Sequence, residues 1–170
     1  VTVIPEILKG IKDYSNQIDA HHIMMFYYKI ACVYFGAADY ENCIVFLDKI
    51  ISNKRLKMRE DLLCFSRVLN IFAHYEAGFD YHLETHLRDT YKFLIKMNDL
   101  HAVQKAMIRF VRNLGDIYPQ EIKTAFENLY TELKQYENDP YERRSFLYLD
   151  ILSWLEGKIK NVPIAEIIQQ

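Results

Sequence analysis

Apolar residues recur at three- and four-residue steps through most of the chain, the spacing of one face of a helix. Pro5, at a plausible first helical position, with Ile7, Leu8, Ile11 and Ile18 predicts a helix over 5–18. A second, over 20–36, carries Ile23, Tyr27, Ile30, Ala31 and Tyr34. Asp39 can cap a third over 40–52, whose stripe is Cys43, Phe46, Leu47, Ile50 and Ile51. After the polar stretch 52–57, the spacing of Leu62, Phe65, Leu69, Phe72 and Tyr75 predicts a helix over 58–77, stopped by Gly78.

The second half of the chain continues in the same way. Asp80 caps a predicted helix over 81–97 with Leu83, Leu87, Tyr91 and Leu94 as its stripe. Another covers 100–114 with Val103, Met107, Phe110, Val111 and Leu114, ending at Gly115. Pro119 opens one over 119–137 that carries Ile122, Phe126, Leu129 and Leu133. Asp139-Pro140-Tyr141-Glu142 is the strongest start signal, with an N-cap acid, proline at the first helical position and a second acid at the third. The helix it opens should run to Gly157, with Phe146 to Leu155 apolar almost all round, so several of its sides should be covered. Ile164, Ile167 and Ile168, after Pro163, fit a short docked turn or a frayed end.

Two segments share a layout 41 residues apart, Tyr34-Phe35-Gly36-Ala37-Ala38-Asp39-Tyr40 and Tyr75-Glu76-Ala77-Gly78-Phe79-Asp80-Tyr81. Each ends one helical pattern on a Tyr, passes through small residues and opens the next with Asp-Tyr. A repeat of this length is the mark of stacked helical hairpins. The first hairpin, 20–52, resembles a tetratricopeptide repeat. Tyr27, Ile30-Ala31, Tyr34, Tyr40 and Cys43 with Leu47 stand at that family's aromatic and small positions. The second, 58–97, keeps Val68, Ile71, Phe72, Tyr75 and Tyr81 but has Glu84 and Arg88 where a small and an aromatic residue belong, so it is a degenerate copy. Arg55 stands in place of the family's closing proline, and the linker exceeds the family's period. Helices over 100–157 match only in length and pairing.

The resemblance implies a right-handed array of antiparallel helix pairs, an α-solenoid of about eight helices. It looks like the C-terminal part of a longer protein of this kind. Such arrays bind a peptide or partner protein on the concave side. The resemblance places Met25, Tyr28, Cys32 and Phe35 on that side in the first hairpin, and Ser66, Leu69, Ala73 and Glu76 in the second. These positions offer almost no donors for a carboxylate, so an apolar partner segment or a neighbouring helix of the same protein is the better fit.

Composition narrows this without changing it. In 170 residues, 51% hydrophobic, there are only four Pro and five Gly, which favours long helices and argues against disorder. No low-complexity linker divides the chain, so a single domain over 1–170 is the expectation, with a tail from 158. The formal net charge of −2 gives no general attraction to nucleic acid or anionic lipid. No apolar run has membrane-spanning length and no signal-peptide pattern opens the chain. Cys32, Cys43 and Cys64, without C-x-x-C spacing, read as reduced core thiols, and the expected location is cytoplasmic. The chain opens on Val1, which suggests a piece of a longer protein in which an upstream targeting signal would be invisible.

Candidate chemistry is sparse. His82 and His86 have a zinc-chelating spacing, but Glu84 is turned away from them and no third ligand is evident, so no metal or cofactor is expected. His21, His22, His74 and His101 read as capping or half-buried polar groups. No phosphate-binding glycine loop occurs and no nucleophile motif accompanies a cysteine, so no catalytic residue is named. Lys54, Arg55, Lys57 and Arg59, four positive charges in six residues, are a candidate anion contact, although nothing around them supports base readout. Arg109 and Arg112 read as the wet face of their helix. Asp150 should face water or bond a neighbouring helix terminus, and Trp154 should fill the core. The reading is therefore a protein-interaction scaffold, not an enzyme, with a homo-oligomer through exposed end helices as one way to use its faces. Its rivals are a regulatory or signalling module of a larger protein, and a helical enzyme or metal protein.

Overall fold

A computed structural model describes residues 1–53, 60–78, 80–96, 101–113 and 116–168, and among them every regular element is a helix. The chain divides into two compact units, 1–78 and 79–170. That division falls inside the interval 58–97 read from the sequence as the second hairpin.

The first unit contains α1 (Ile4–Asp13), α2 (Ala20–Gly36), α3 (Tyr40–Ile51) and α4 (Glu60–Glu76). Pro5 lies in the first turn of α1, and the helix stops at Asp13 instead of reaching residue 18. Asp19 caps α2 by accepting from the His22 amide, and Asp39 caps α3 by accepting from the Asn42 amide. Between them Ala38 takes a left-handed backbone with φ of 58°. A residue with a side chain pays strain there that glycine would not, and the following Asp39 cap helps to hold the turn.

The long side of α3 packs along both α2 and α4. Aromatic rings make the α2–α3 seam. Tyr27 meets Phe46 edge-on at 5.7 Å, Tyr34 stacks on the same ring at 5.8 Å, and Lys49 sits 4.4 Å above its centroid. Ile30, Ala31, Cys43 and Leu47 are buried. α4 is buried on most of its surface, including the polar Ser66, Asn70 and His74. Ser66 donates to the Leu62 carbonyl and the His74 ring bonds the Asn70 backbone carbonyl, both within the helix, whereas the buried Asn70 side-chain oxygen has no hydrogen-bond partner among the described residues.

Helix boundaries shift the repeat by one residue. α2 and α4 begin at 20 and 60 and end at 36 and 76, and the left-handed residues that follow them are Ala38 and Gly78. The interval is thus 40, and Tyr34 stands one place further from its helix end than Tyr75 does.

The second unit contains α5 (Asp80–Lys96), α6 (Ala102–Asn113), α7 (Ile122–Lys134), α8 (Arg143–Tyr148), α9 (Ile151–Lys160) and α10 (Ile164–Ile168). α6 packs on α5 and α7, and α9 packs on α7 and α10. Phe110, Phe126 and Trp154 form a ring relay through α6, α7 and α9, with centroid separations of 5.3 and 5.6 Å. The tail after Pro163 is the docked turn, with Ile167 buried.

The single helix expected over 140–157 is two. Asp139 does accept from the Tyr141 and Glu142 amides, but those bonds close a turn, and the helix that follows starts only at Arg143 and ends at Tyr148. Leu149 is extended, and Asp150 opens α9 by accepting from both the amide and the hydroxyl of Ser153. Asp150 therefore caps its own helix, and its side chain competes with the backbone pattern that would have carried the first helix onward. Gly157 does not stop α9 either. The helix runs on to Lys160 and ends in left-handed Asn161. Gly157 is needed because the chain folds back over it. A β-carbon there would lie 2.9 Å from the Val162 carbonyl oxygen.

Candidate functional site

The residues expected on the inner face of the first hairpin divide into two groups. Tyr28 and Phe35 are buried at 0 and 3% exposure, and Leu69 of α4 is likewise at 0%. These three belong to the core, which corrects their assignment to a partner surface. Met25 and Cys32 are half-buried. The reason is rotational. α2 is apolar over most of its circumference, so its sequence alone leaves open which stripe turns inward. The seam with α3 is made by Tyr27 and Tyr34, and the turn of the helix carries Tyr28 and Phe35 inward beside it.

What α2 leaves open is the stripe His22, Phe26, Lys29 and Val33, flanked by Met25 and Cys32. Phe26 and Val33 are each 42% exposed. Most exposed helix faces are dominated by charge, yet Lys29 is the only Lys, Arg, Asp or Glu in α2. His22 at the start of the stripe is held by Asp19, whose carboxyl is kept below its ordinary range by bonds from the His22 amide and ring. The stripe thus has one ordered polar end and an apolar middle.

Sulfur chemistry is quiet here. Burial pushes the Cys32 thiol up to about 11 and raises that of Cys43 further, so neither supplies a thiolate near neutral pH. Cys64 is also buried and unbridged. Tyr40, at the foot of α3 with its ring edge-on to Phe35, has its phenol raised to about 12 by burial and then by the negative charge of Glu76.

Lys54, Arg55, Lys57 and Arg59 lie outside the described residues, as do the side chains of His82 and Glu84. Among the described residues no three His, Cys, Asp or Glu side chains gather as a metal site, and no helix is long and apolar enough to cross a membrane.

Sequence reasoning missed a contact in the second unit. Glu142 accepts from the Ala102 amide at 2.7 Å and from the Val103 amide at 3.1 Å, so one carboxylate closes the N-terminus of α6 from 40 positions along the chain. His101 stands 3.9 Å from the same carboxylate. The Asp139-Pro140 start signal pointed to Glu142 as a local capping acid. Only the tertiary path brings it to another helix. Tyr91, placed by spacing in the buried stripe of its helix, is 45% exposed. Arg109 and Arg112 are exposed, as a wet face requires, and Arg109 pairs with Glu132 of α7.

The chain matches no known family model, no curated protein and no solved structure.

Proposed function

We propose that this chain is a tetratricopeptide-like interaction scaffold that takes a partner protein or peptide on the exposed stripe of α2. The observation that carries the reading is that stripe, an apolar helix face with Phe26 and Val33 open and a single cation between them. Support comes from the α2–α3–α4 arrangement, in which the middle helix packs along both neighbours as it does in hairpin arrays. A scaffold of that kind hides one face of each helix in the stack and keeps the other for a ligand. Large apolar side chains gathered on an open surface mark interaction sites more often than scattered ones do.

Phe26→Asp with Val33→Asp tests the reading. Both side chains are substantially exposed, so the fold should persist with an unchanged helical circular dichroism spectrum. Cross-linking in the source cells, followed by recovery of the protein, should yield a partner with the parent chain and lose it with the double variant. Equal recovery with both would remove α2 as the contact surface.

A further inference from the structure

The second unit holds a cleft between α5 and α6 whose walls differ in kind from its floor. Its volume is about 410 Å³, within the range of small-molecule sites. Leu87 and Tyr91 of α5 and Ile108 of α6 give it an apolar lining, to which Arg88 and Arg112, both exposed, add two cations. A second hollow of about 260 Å³ shares Tyr91, Ile108 and Arg112 and extends the cleft to Lys105.

Three observations fix the chemistry that would fit. Arg88, Lys105 and Arg112 have no carboxylate partner among the described residues, whereas the neighbouring Arg109 is taken up by Glu132. Like charges gathered on one rim repel each other, and an anion bound between them relieves that repulsion while forming charge-assisted hydrogen bonds. The Arg112 guanidinium lies 6.0 Å from the centre of the Tyr91 ring, which steadies it beside the apolar lining. Ile108 is 6% exposed and forms a firm floor, while half-exposed Tyr91 offers a flat face to a ligand.

We propose that this cleft binds a small amphiphilic anion, a carboxylate or phosphate head on a flat or aliphatic body. The head sits between Arg88 and Arg112, and the body covers Leu87, Tyr91 and Ile108. A polyanion such as nucleic acid would use the rim and leave the apolar floor bare. This site is separate from the α2 stripe and stands or falls without it.

Calorimetric titration of the whole protein with decanoate tests the proposal, with decanol and decyltrimethylammonium as matched neutral and cationic probes. Decanoate should bind at one site, more tightly than either control, and its affinity should fall as salt is raised. Arg88→Gln with Arg112→Gln should weaken decanoate by roughly tenfold or more and leave decanol unchanged. Tyr91→Ala should weaken both chains. All three substituted side chains are exposed, and unchanged circular dichroism will show that the fold is kept. No saturable decanoate binding, equal binding of decanol, or unchanged affinity in the arginine variant would each overturn the proposal. An acidic peptide with a central leucine serves as the last arm. If it displaces decanoate at lower concentration than decanoate itself binds, the occupant is a protein segment and the small-molecule assignment is wrong.

Discussion

Tyr40 shows how burial turns a single hydroxyl into a pH-dependent stabiliser. Its phenol keeps its proton to about 12 in the fold, against an ordinary value of 10, because burial and the charge of Glu76 both disfavour the phenolate. The folded state therefore holds a proton that the unfolded chain gives up first. Below pH 10 this contribution is intact, and it drains away as pH rises from 10 toward 12. Cys32 acts in the same direction over the range from 9 to about 11. Tyr40→Phe should therefore flatten the alkaline loss of stability between pH 10 and 12, read as denaturant midpoints against pH for variant and parent. Parallel curves through that interval would show that Tyr40 ionises as freely in the fold as outside it. Little of this was legible in the sequence. Tyr40 read as an aromatic position of the first hairpin with nothing to mark its hydroxyl, because what surrounds a ring is settled by the partner helices and not by its neighbours in the chain.

At the scale of elements, legibility followed the signals that act over a few residues. The bounds of α2 matched the spacing of its apolar positions, and the Asp39 cap of α3 stands where the sequence put it. These are local bonds between a side chain and the next turn. The long apolar run from Phe146 to Leu155 misled because it is compatible with one helix or two, and the Asp150-x-x-Ser153 pair that divides it looked like a polar interruption on a continuous helix. The placing of Tyr28 and Phe35 on a partner surface failed for a related reason. Periodicity says that Tyr28 and Phe35 share a face, but on a helix as apolar as α2 it does not say which face turns inward. Glu142 belongs to a third kind, a cap that reaches a different helix. Glu142→Ala leaves the Ala102 and Val103 amides without their acceptor and removes a negative charge from the α6 N-terminus. The loss should be about 1–3 kcal/mol. Denaturant unfolding of the variant against the parent measures it, and Glu142→Gln, which keeps an acceptor oxygen, should lose less. Equal stabilities for all three would mean that water serves those amides as well as the carboxylate does.

Among the described residues every regular element is a helix, and the two units each carry a different kind of open surface, an apolar stripe on α2 and a basic cleft beside α5 and α6. In the second unit the segment from Asp139 onward does two jobs for the rest. α9 lies along α7, setting Trp154 edge-on against Phe126, and Glu142 closes α6. Deleting residues 139–170 removes both at once. Phe126, Leu129 and Leu133 are now buried, and α7 would lose the cover of α9, which packs along it and sets Trp154 against Phe126. Burying each such side chain contributes roughly 1.5–3 kcal/mol, so losing part of it along α7 takes away about a few kcal/mol, a large share of a small domain's stability. The shortened chain should aggregate, or bind a hydrophobic dye and melt without a sharp transition. Size-exclusion chromatography and thermal melts decide the matter. A soluble monomer with the parent's melting temperature would mean that α8, α9 and α10 form an appendage, and that α6 and α7 carry the second unit without them.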